Sequence, residues 1–105
     1  LQWKYPFKLA FGLFFQDNKQ QAIDEFEYVL TLDPNNVWAY GFIALIEGDF
    51  GNYDEGLSNC KKALLIEPNA TAIYALQAEL YRRKKKYFKA IRSLLKYKKL
   101  YKKHD

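Results

Sequence analysis

The sequence has few of the residues from which catalytic and metal sites are built. Its 105 residues include one cysteine, one histidine and no methionine. A lone Cys60 and a lone His104 exclude an intramolecular disulfide and a zinc site made of cysteines and histidines. The sequence also has no glycine-rich phosphate loop and no spacing typical of metal ligands. We therefore expect no enzymatic activity, no cofactor and no bound metal, and we expect Cys60 to be a packed, inert thiol.

Long apolar stretches are missing as well. The longest, residues 37–46 with one glycine inside it, is ten residues long, whereas a transmembrane helix needs about 20. Half of the residues are nevertheless apolar and 18% are aromatic, which is enough for a packed core. The length and the missing initiator methionine predict a single domain, residues 1–105, excised from a longer protein. The compartment stays open, with the cytoplasm slightly favoured over export.

Charge is distributed unevenly along the chain. Residues 1–70 contain five lysines and ten carboxylates, whereas residues 71–105 contain twelve basic and two acidic residues. The basic end predicts either contact with nucleic acid, anionic lipid or an acidic protein surface, or a solvated helix terminus, where cations are favoured. Nucleic acid is the disfavoured partner because no aromatic platform of a known RNA-binding module is interleaved. The densest part, the basic patch, consists of Arg82, Arg83, Lys84, Lys85 and Lys86.

A repeat organises the whole chain. Pro34 and Pro68 lie 34 residues apart and close similar phrases. A shift of 34 aligns three units without a gap, and each unit has two stretches with apolar residues at helical spacing. The units are residues 3–36, 37–70 and 71–104, and the predicted helices are 5–16, 19–32, 37–50, 53–66, 71–84 and 87–103.

In these units the sequence resembles the tetratricopeptide repeat family. The middle unit matches the family pattern best, through Tyr40, Ile43, Ala44, Tyr53, Gly56, Ala63 and Pro68. The resemblance implies an all-α, right-handed solenoid of three helix-turn-helix repeats and six helices. Tyr40, Ile43 and Ala44 should then be buried between the helices.

Polar residues near the predicted helix starts have a structural interpretation. We expect Asn18 and Asn52 to cap the second helices of repeats one and two with their side-chain oxygens. The acidic pairs 24–25 and 54–55 are expected in the first turns of those helices, where the helix dipole favours negative charge. This assignment makes a catalytic role for the two pairs unnecessary.

The resemblance also implies a binding groove. In this family the first helix of each repeat lines a concave surface that faces the bound segment. The positions carried over to this chain are Phe7, Phe11, Phe15, Trp38, Phe42, Leu45, Leu76 and Glu79. An exposed apolar strip of this kind indicates a binding surface, so we expect Phe42 to lie outside the repeat core. The predicted function is a scaffold or chaperone-like adaptor that binds an extended or helical apolar segment of another protein.

Two alternatives stay open. The strip could instead pack against another part of the full-length protein or against a second copy in a homo-oligomer. The basic third repeat could mediate self-association, or bind nucleic acid or an acidic surface.

One known ligand type is disfavoured by the resemblance. Family members that clamp the acidic carboxyl terminus of chaperones use lysine, arginine and asparagine at five places. Those places are apolar here, namely Phe7, Phe11, Phe42, Ala72 and Leu76. The groove is instead similar to that of bacterial secretion chaperones of this fold, which hold an extended apolar segment.

Overall fold

Six α-helices form the chain in a computed structural model that describes residues 1–103. Each helix begins and ends within one residue of the position predicted from the sequence. The helices are α1 (Lys4–Phe15), α2 (Lys19–Leu32), α3 (Val37–Asp49), α4 (Tyr53–Ile66), α5 (Thr71–Arg83) and α6 (Tyr87–Lys103). The helices α2 and α4 stop two residues before Pro34 and Pro68, because proline cannot continue the hydrogen-bond ladder and restrains the residue before it.

The turn inside each repeat uses the same backbone conformation three times. One residue per turn adopts a left-handed conformation, with φ of 64° at Asp17, 83° at Gly51 and 65° at Lys85. The following amide then donates to a carbonyl five residues earlier, as in a Schellman motif. These bonds are Asn18 N to Leu13 O (2.9 Å), Asn52 N to Glu47 O (2.9 Å) and Lys86 N to Tyr81 O (2.8 Å). Only Gly51 marks this turn in the sequence, and the sequence analysis did not identify the motif.

The predicted caps are wrong at both positions. Neither Asn18 nor Asn52 makes a side-chain cap hydrogen bond. The side-chain amide of Asn52 instead donates to Glu47 Oε2 at 2.8 Å. The helix that does have an asparagine cap is α3, where Asn36 Oδ1 accepts from the Ala39 amide at 3.0 Å. The α1–α2 and α3–α4 connections are stabilised instead by the backbone hydrogen bonds of the left-handed turns.

The acidic pairs also differ from each other. Asp54 and Glu55 lie in the first turn of α4, as predicted. Asp24 and Glu25 do not lie in the first turn of α2, which begins at Lys19. The prediction for this pair is wrong because the two pairs occupy different places in the repeat. Asp24 instead accepts a hydrogen bond from the Gln20 side chain, one turn earlier in α2, at 3.2 Å.

The core consists of two clusters, one at each junction between repeats. The first, between repeats one and two, is built around Phe26, Val29 and Ile46. The second, between repeats two and three, is built around Cys60, Ile73 and Leu80. Ile43 and Ala44 are buried as predicted, whereas Tyr40 is half-buried and packs against the second cluster.

Candidate functional site

The inner side of the first junction is filled by phenylalanine rings. Phe42 of α3 stacks on the fully buried Phe26 of α2, with ring centroids 5.1 Å apart and planes within 2°. Three rings of α1 surround Phe42 edge-on. They are Phe7 at 6.1 Å, Phe11 at 5.4 Å and Phe14 at 5.9 Å.

Phe42 is half-buried and packs against the core cluster of the first junction, so the prediction that it lies outside the core is wrong. The reason is that Phe42 packs against the aromatic rings of α1 and α2 across the first junction, while its remaining surface borders the space between α3 and α5. Phe7 is likewise packed, because it contacts both Trp3 (5.8 Å) and Phe26 (5.4 Å). Phe11 and Phe15 remain on the surface, Phe15 with 69% of its area exposed.

An open cleft lies on the inner side of the second junction, between α3 and α5. It has a volume of about 210 Å³. Its walls are apolar and consist of Trp38, Gly41, Phe42, Leu45, Ala72, Ile73 and Leu76. Four of the predicted groove residues meet here, namely Trp38, Phe42, Leu45 and Leu76. Trp38 is the most accessible of the four, with 63% of its area exposed.

Gly41 and Gly48 give α5 room to approach α3. A Cβ atom on Gly41 would lie 3.0 Å from Ile73 Cδ1, and one on Gly48 would lie 2.5 Å from Leu80 Cδ2. A Cβ at Gly48 would overlap Leu80 and one at Gly41 would be in tight contact with Ile73, so a side chain at either position requires its neighbour to move. The room that these glycines leave is used by α5 of the same chain.

Glu79 lies at a polar end of the inner surface. Its carboxylate accepts from Arg82 Nε at 2.7 Å and from Arg83 Nε at 3.0 Å. The hydrogen bonds from Arg82 and then from Arg83 lower the pKa of Glu79 from 4.5 to about 2. Arg83 also reaches across to α3, where Asp49 lies 3.6 Å away. Glu79 therefore holds two basic residues in place, and it does not line the apolar cleft between α3 and α5.

The basic patch does not form a single cationic surface. Arg82 and Arg83 share Glu79, and Lys84 forms an ion pair with Asp54 of α4. Lys85 and Lys86 occupy the turn before α6 and are exposed. Three of the five predicted residues are thus neutralised by carboxylates of the same chain.

Candidate catalytic groups are not brought together in residues 1–103. Cys60 is fully buried, and burial raises the pKa of its thiol to about 12, as expected for a packed thiol. His104 lies outside the described residues. Within residues 1–103 no cluster of three potential metal-ligating side chains is found. None of the six helices there is both long and apolar enough to cross a bilayer.

The helix order, the repeat turns and the two junctions together define the tetratricopeptide-repeat fold, here a right-handed solenoid of three repeats. No family model and no curated protein matches the sequence. Solved structures share the fold at low identity. MamA superposes with a TM-score of 0.92 at 22% identity, over 97% of this chain and 60% of that one. This chain therefore spans less than two thirds of MamA.

Two further structures are similar over most of the chain. The second TPR domain of Spaghetti (RPAP3), bound to the HSP90 peptide SRMEEVD, gives a TM-score of 0.89 at 17% identity, over 95% of this chain and 93% of that one. The Yersinia enterocolitica type III secretion translocator chaperone SycD gives 0.90 at 16% identity, over 93% of this chain and 74% of that one.

Proposed function

We propose that this chain is a non-enzymatic protein-interaction module whose inner surface binds an apolar segment of a partner protein. The observation that carries the proposal is the apolar cleft between α3 and α5, with the exposed Trp38 in its wall. Exposed phenylalanines of α1, Phe11 and Phe15, continue the apolar surface beyond the first junction. A partner segment that crosses α1, α3 and α5 would cover the cleft, Trp38 and the two phenylalanines.

The size of the cleft favours a side chain over a small-molecule ligand. Its volume of about 210 Å³ is below the roughly 300–1,000 Å³ typical of small-molecule sites. A pocket of this size suits one bulky apolar side chain of a peptide, with the rest of the peptide lying on the neighbouring helices. Tryptophan, the residue type of Trp38, is among those enriched at energetically dominant contacts.

The apolar side chains of the inner surface favour an apolar segment over an acidic chaperone tail as the ligand. The Spaghetti domain has been solved with a peptide ending in Glu-Glu-Val-Asp. The basic clamp implied for such ligands is replaced here by the apolar residues Phe7, Phe11, Phe42, Ala72 and Leu76. Similarity to SycD, a translocator chaperone, supports a chaperone-like adaptor that shields an apolar segment.

Peptide display on the intact chain tests the proposal. We expect enrichment of peptides with bulky apolar side chains and no binding of SRMEEVD. Trp38→Ala should weaken the selected peptides by about tenfold or more while leaving the thermal midpoint nearly unchanged, because Trp38 is mostly exposed. The matched control is Leu65→Ala, which removes a side chain that is 77% exposed on α4, away from the cleft.

Three results would contradict the proposal. One is the absence of any selected peptide. Another is equal binding by the parent and Trp38→Ala. The third is equal weakening by Trp38→Ala and Leu65→Ala, which would indicate non-specific apolar contact.

A further inference from the structure

The outward side of α6 carries apolar side chains that the repeat architecture does not require. Phe88 and Leu95 lie seven residues apart on one side of the helix, with 88% and 61% of their areas exposed. Equivalent places in repeat two hold Asp54 and Lys61, both exposed. Repeat one is polar there too, with Gln20 and Glu27. At these two places α6 is apolar, whereas α2 and α4 are polar.

These two residues are distinct from the face on which another helix would stack. In repeat two, α5 packs on the side of α4 that carries Tyr53 and Leu57. The equivalent side of α6 carries Tyr87 and Ile91. A further helix on that side would follow the existing junctions, and it would leave the positions of Phe88 and Leu95 uncovered, as Asp54 and Lys61 are uncovered in repeat two.

Basic residues border Phe88 and Leu95 along the same side. Arg92 and Lys99 follow them by one helical turn, and Lys89 and Lys96 are the next residues in the chain. None of these four cations forms an ion pair within the described residues. The α6 sequence contains seven basic residues and no acidic residue. We name the surface formed by Phe88, Leu95, Lys89, Arg92, Lys96 and Lys99 the outer strip.

We propose that the outer strip docks on an anionic lipid membrane, with α6 lying along the surface. Helices that lie in a membrane interface combine Phe or Leu on one side with Lys and Arg beside them. The apolar side chains enter the acyl boundary, while the long basic side chains reach back to the lipid phosphates. An open depression at the start of α6, lined by Lys85, Lys86, Tyr87, Phe88 and Lys89, would place lipid headgroups among three lysines.

The exposed apolar pair favours a membrane over a nucleic acid. A phosphate backbone would attract the same cations, but it offers no apolar environment for Leu95. A lipid surface accommodates both kinds of side chain at once. The outer strip is on α6, separate from the cleft between α3 and α5, so membrane docking and peptide binding are independent and can occur together.

Vesicle flotation with the whole chain tests the proposal. The probes are phosphatidylcholine vesicles with and without phosphatidylserine, and a single-stranded RNA of mixed sequence. We expect binding to the anionic vesicles only. Each basic residue near such a surface contributes about a fivefold gain in binding, so Lys89→Glu/Arg92→Glu/Lys96→Glu should lose roughly a hundredfold or more. Lys8→Glu/Lys61→Glu/Lys62→Glu, at three exposed lysines of α1 and α4, is the control for net charge and should lose much less.

A second pair of variants tests insertion. Phe88→Ser/Leu95→Ser should weaken vesicle binding by at least about tenfold, whereas Leu65→Ser removes an equally exposed apolar side chain from α4 and should have no effect. Both sites are exposed, so circular dichroism should show parent-like folding. In addition, an environment-sensitive dye on Phe88→Cys, with Cys60 buried and unreactive, should report an apolar environment on anionic vesicles.

The outcomes separate the possible sources of binding. Loss on charge reversal together with loss in Phe88→Ser/Leu95→Ser supports docking by the outer strip. Binding unaffected by Phe88→Ser/Leu95→Ser, a dye that stays in water, equal binding to neutral vesicles, or tighter binding to RNA than to anionic vesicles would each overturn it.

Discussion

The two junctions between repeats occupy equivalent places in the solenoid but are filled in opposite ways. At the first junction, rings on the inner helices fill the space, and Phe42 stacks on Phe26. At the second, Leu80 enters the space left by Gly48 and Gly56, and an apolar cleft remains at Gly41. The same place in the repeat can therefore be filled by aromatic rings at one junction and border an open cleft at the next.

The strongest test of this difference compares the same substitution at two equivalent positions. Phe42 and Leu76 lie 34 residues apart. Phe42→Glu should lose at least about 3 kcal/mol of unfolding free energy, because it removes a core ring and places a charge against Phe26. Leu76 is also half-buried and borders the same cleft, but it lacks the surrounding rings of Phe42, so Leu76→Glu should lose less, about 1 to 2 kcal/mol. Urea unfolding followed by circular dichroism measures both, and equal losses would show that the junctions do not differ.

A second test asks whether the glycine at the second junction is needed for close packing. Gly48→Ala should destabilise the chain by about 1 to 2 kcal/mol, because its Cβ would crowd Leu80 by more than the gain in helix propensity offsets. Gly12→Ala is the matched control. No atom lies within 4 Å of a Cβ there, so this change should stabilise α1 by up to about 1 kcal/mol.

The double variant Gly48→Ala/Leu80→Val tests whether contact with Leu80 causes the loss of stability. Shortening Leu80 should recover part of the loss caused by Gly48→Ala. Additive losses would mean that the glycine is needed for a reason other than contact with Leu80.

The sequence predicts the helices well and the surface less well. Helix positions follow from apolar spacing and from Pro34 and Pro68, which are local signals. Whether Phe42 faces a groove depends on which rings lie opposite it on α1 and α2, and residue spacing within α3 contains no such information. The pairing of Lys84 with Asp54 likewise joins residues 30 positions apart, so the basic patch looks more cationic in the sequence than it is in the fold.

A smaller effect on stability is expected at the left-handed turns inside the repeats, and it should not depend on the junction. Lys85 and Gly51 share a left-handed backbone conformation, which is costly for a residue with a side chain. Lys85→Gly should therefore stabilise the chain by about 0.5 to 1 kcal/mol, and Gly51→Ala should destabilise it by about 1 kcal/mol. Thermal unfolding at low protein concentration measures both shifts. A destabilising Lys85→Gly would mean that the lysine side chain makes a contact outweighing its backbone strain.

The smallest expected effect concerns Glu79, the polar counterpart of Leu45 one repeat later. Hydrogen bonds from Arg82 and then Arg83 hold its pKa at about 2, below its ordinary 4.5. A lowered folded-state pKa stabilises the fold fully above about pH 4.5, and this contribution is lost as the pH falls towards 2. Because the Glu79 side chain is 38% exposed, solvent screening keeps the contribution below about 1 kcal/mol.

Glu79→Gln should therefore lower the urea midpoint slightly at neutral pH, and the difference from the parent should shrink steadily as the solution is acidified from pH 4.5 towards 2. Added salt should shrink it as well, because screening weakens pairs at the surface. Glu27→Gln is the control, since Glu27 is exposed, lies beyond the first turn of α2 and forms no ion pair within the described residues. A pH-independent difference would mean that Glu79 acts through packing, and a difference as large as that of Leu76→Glu would place it in the junction itself instead of at its polar end.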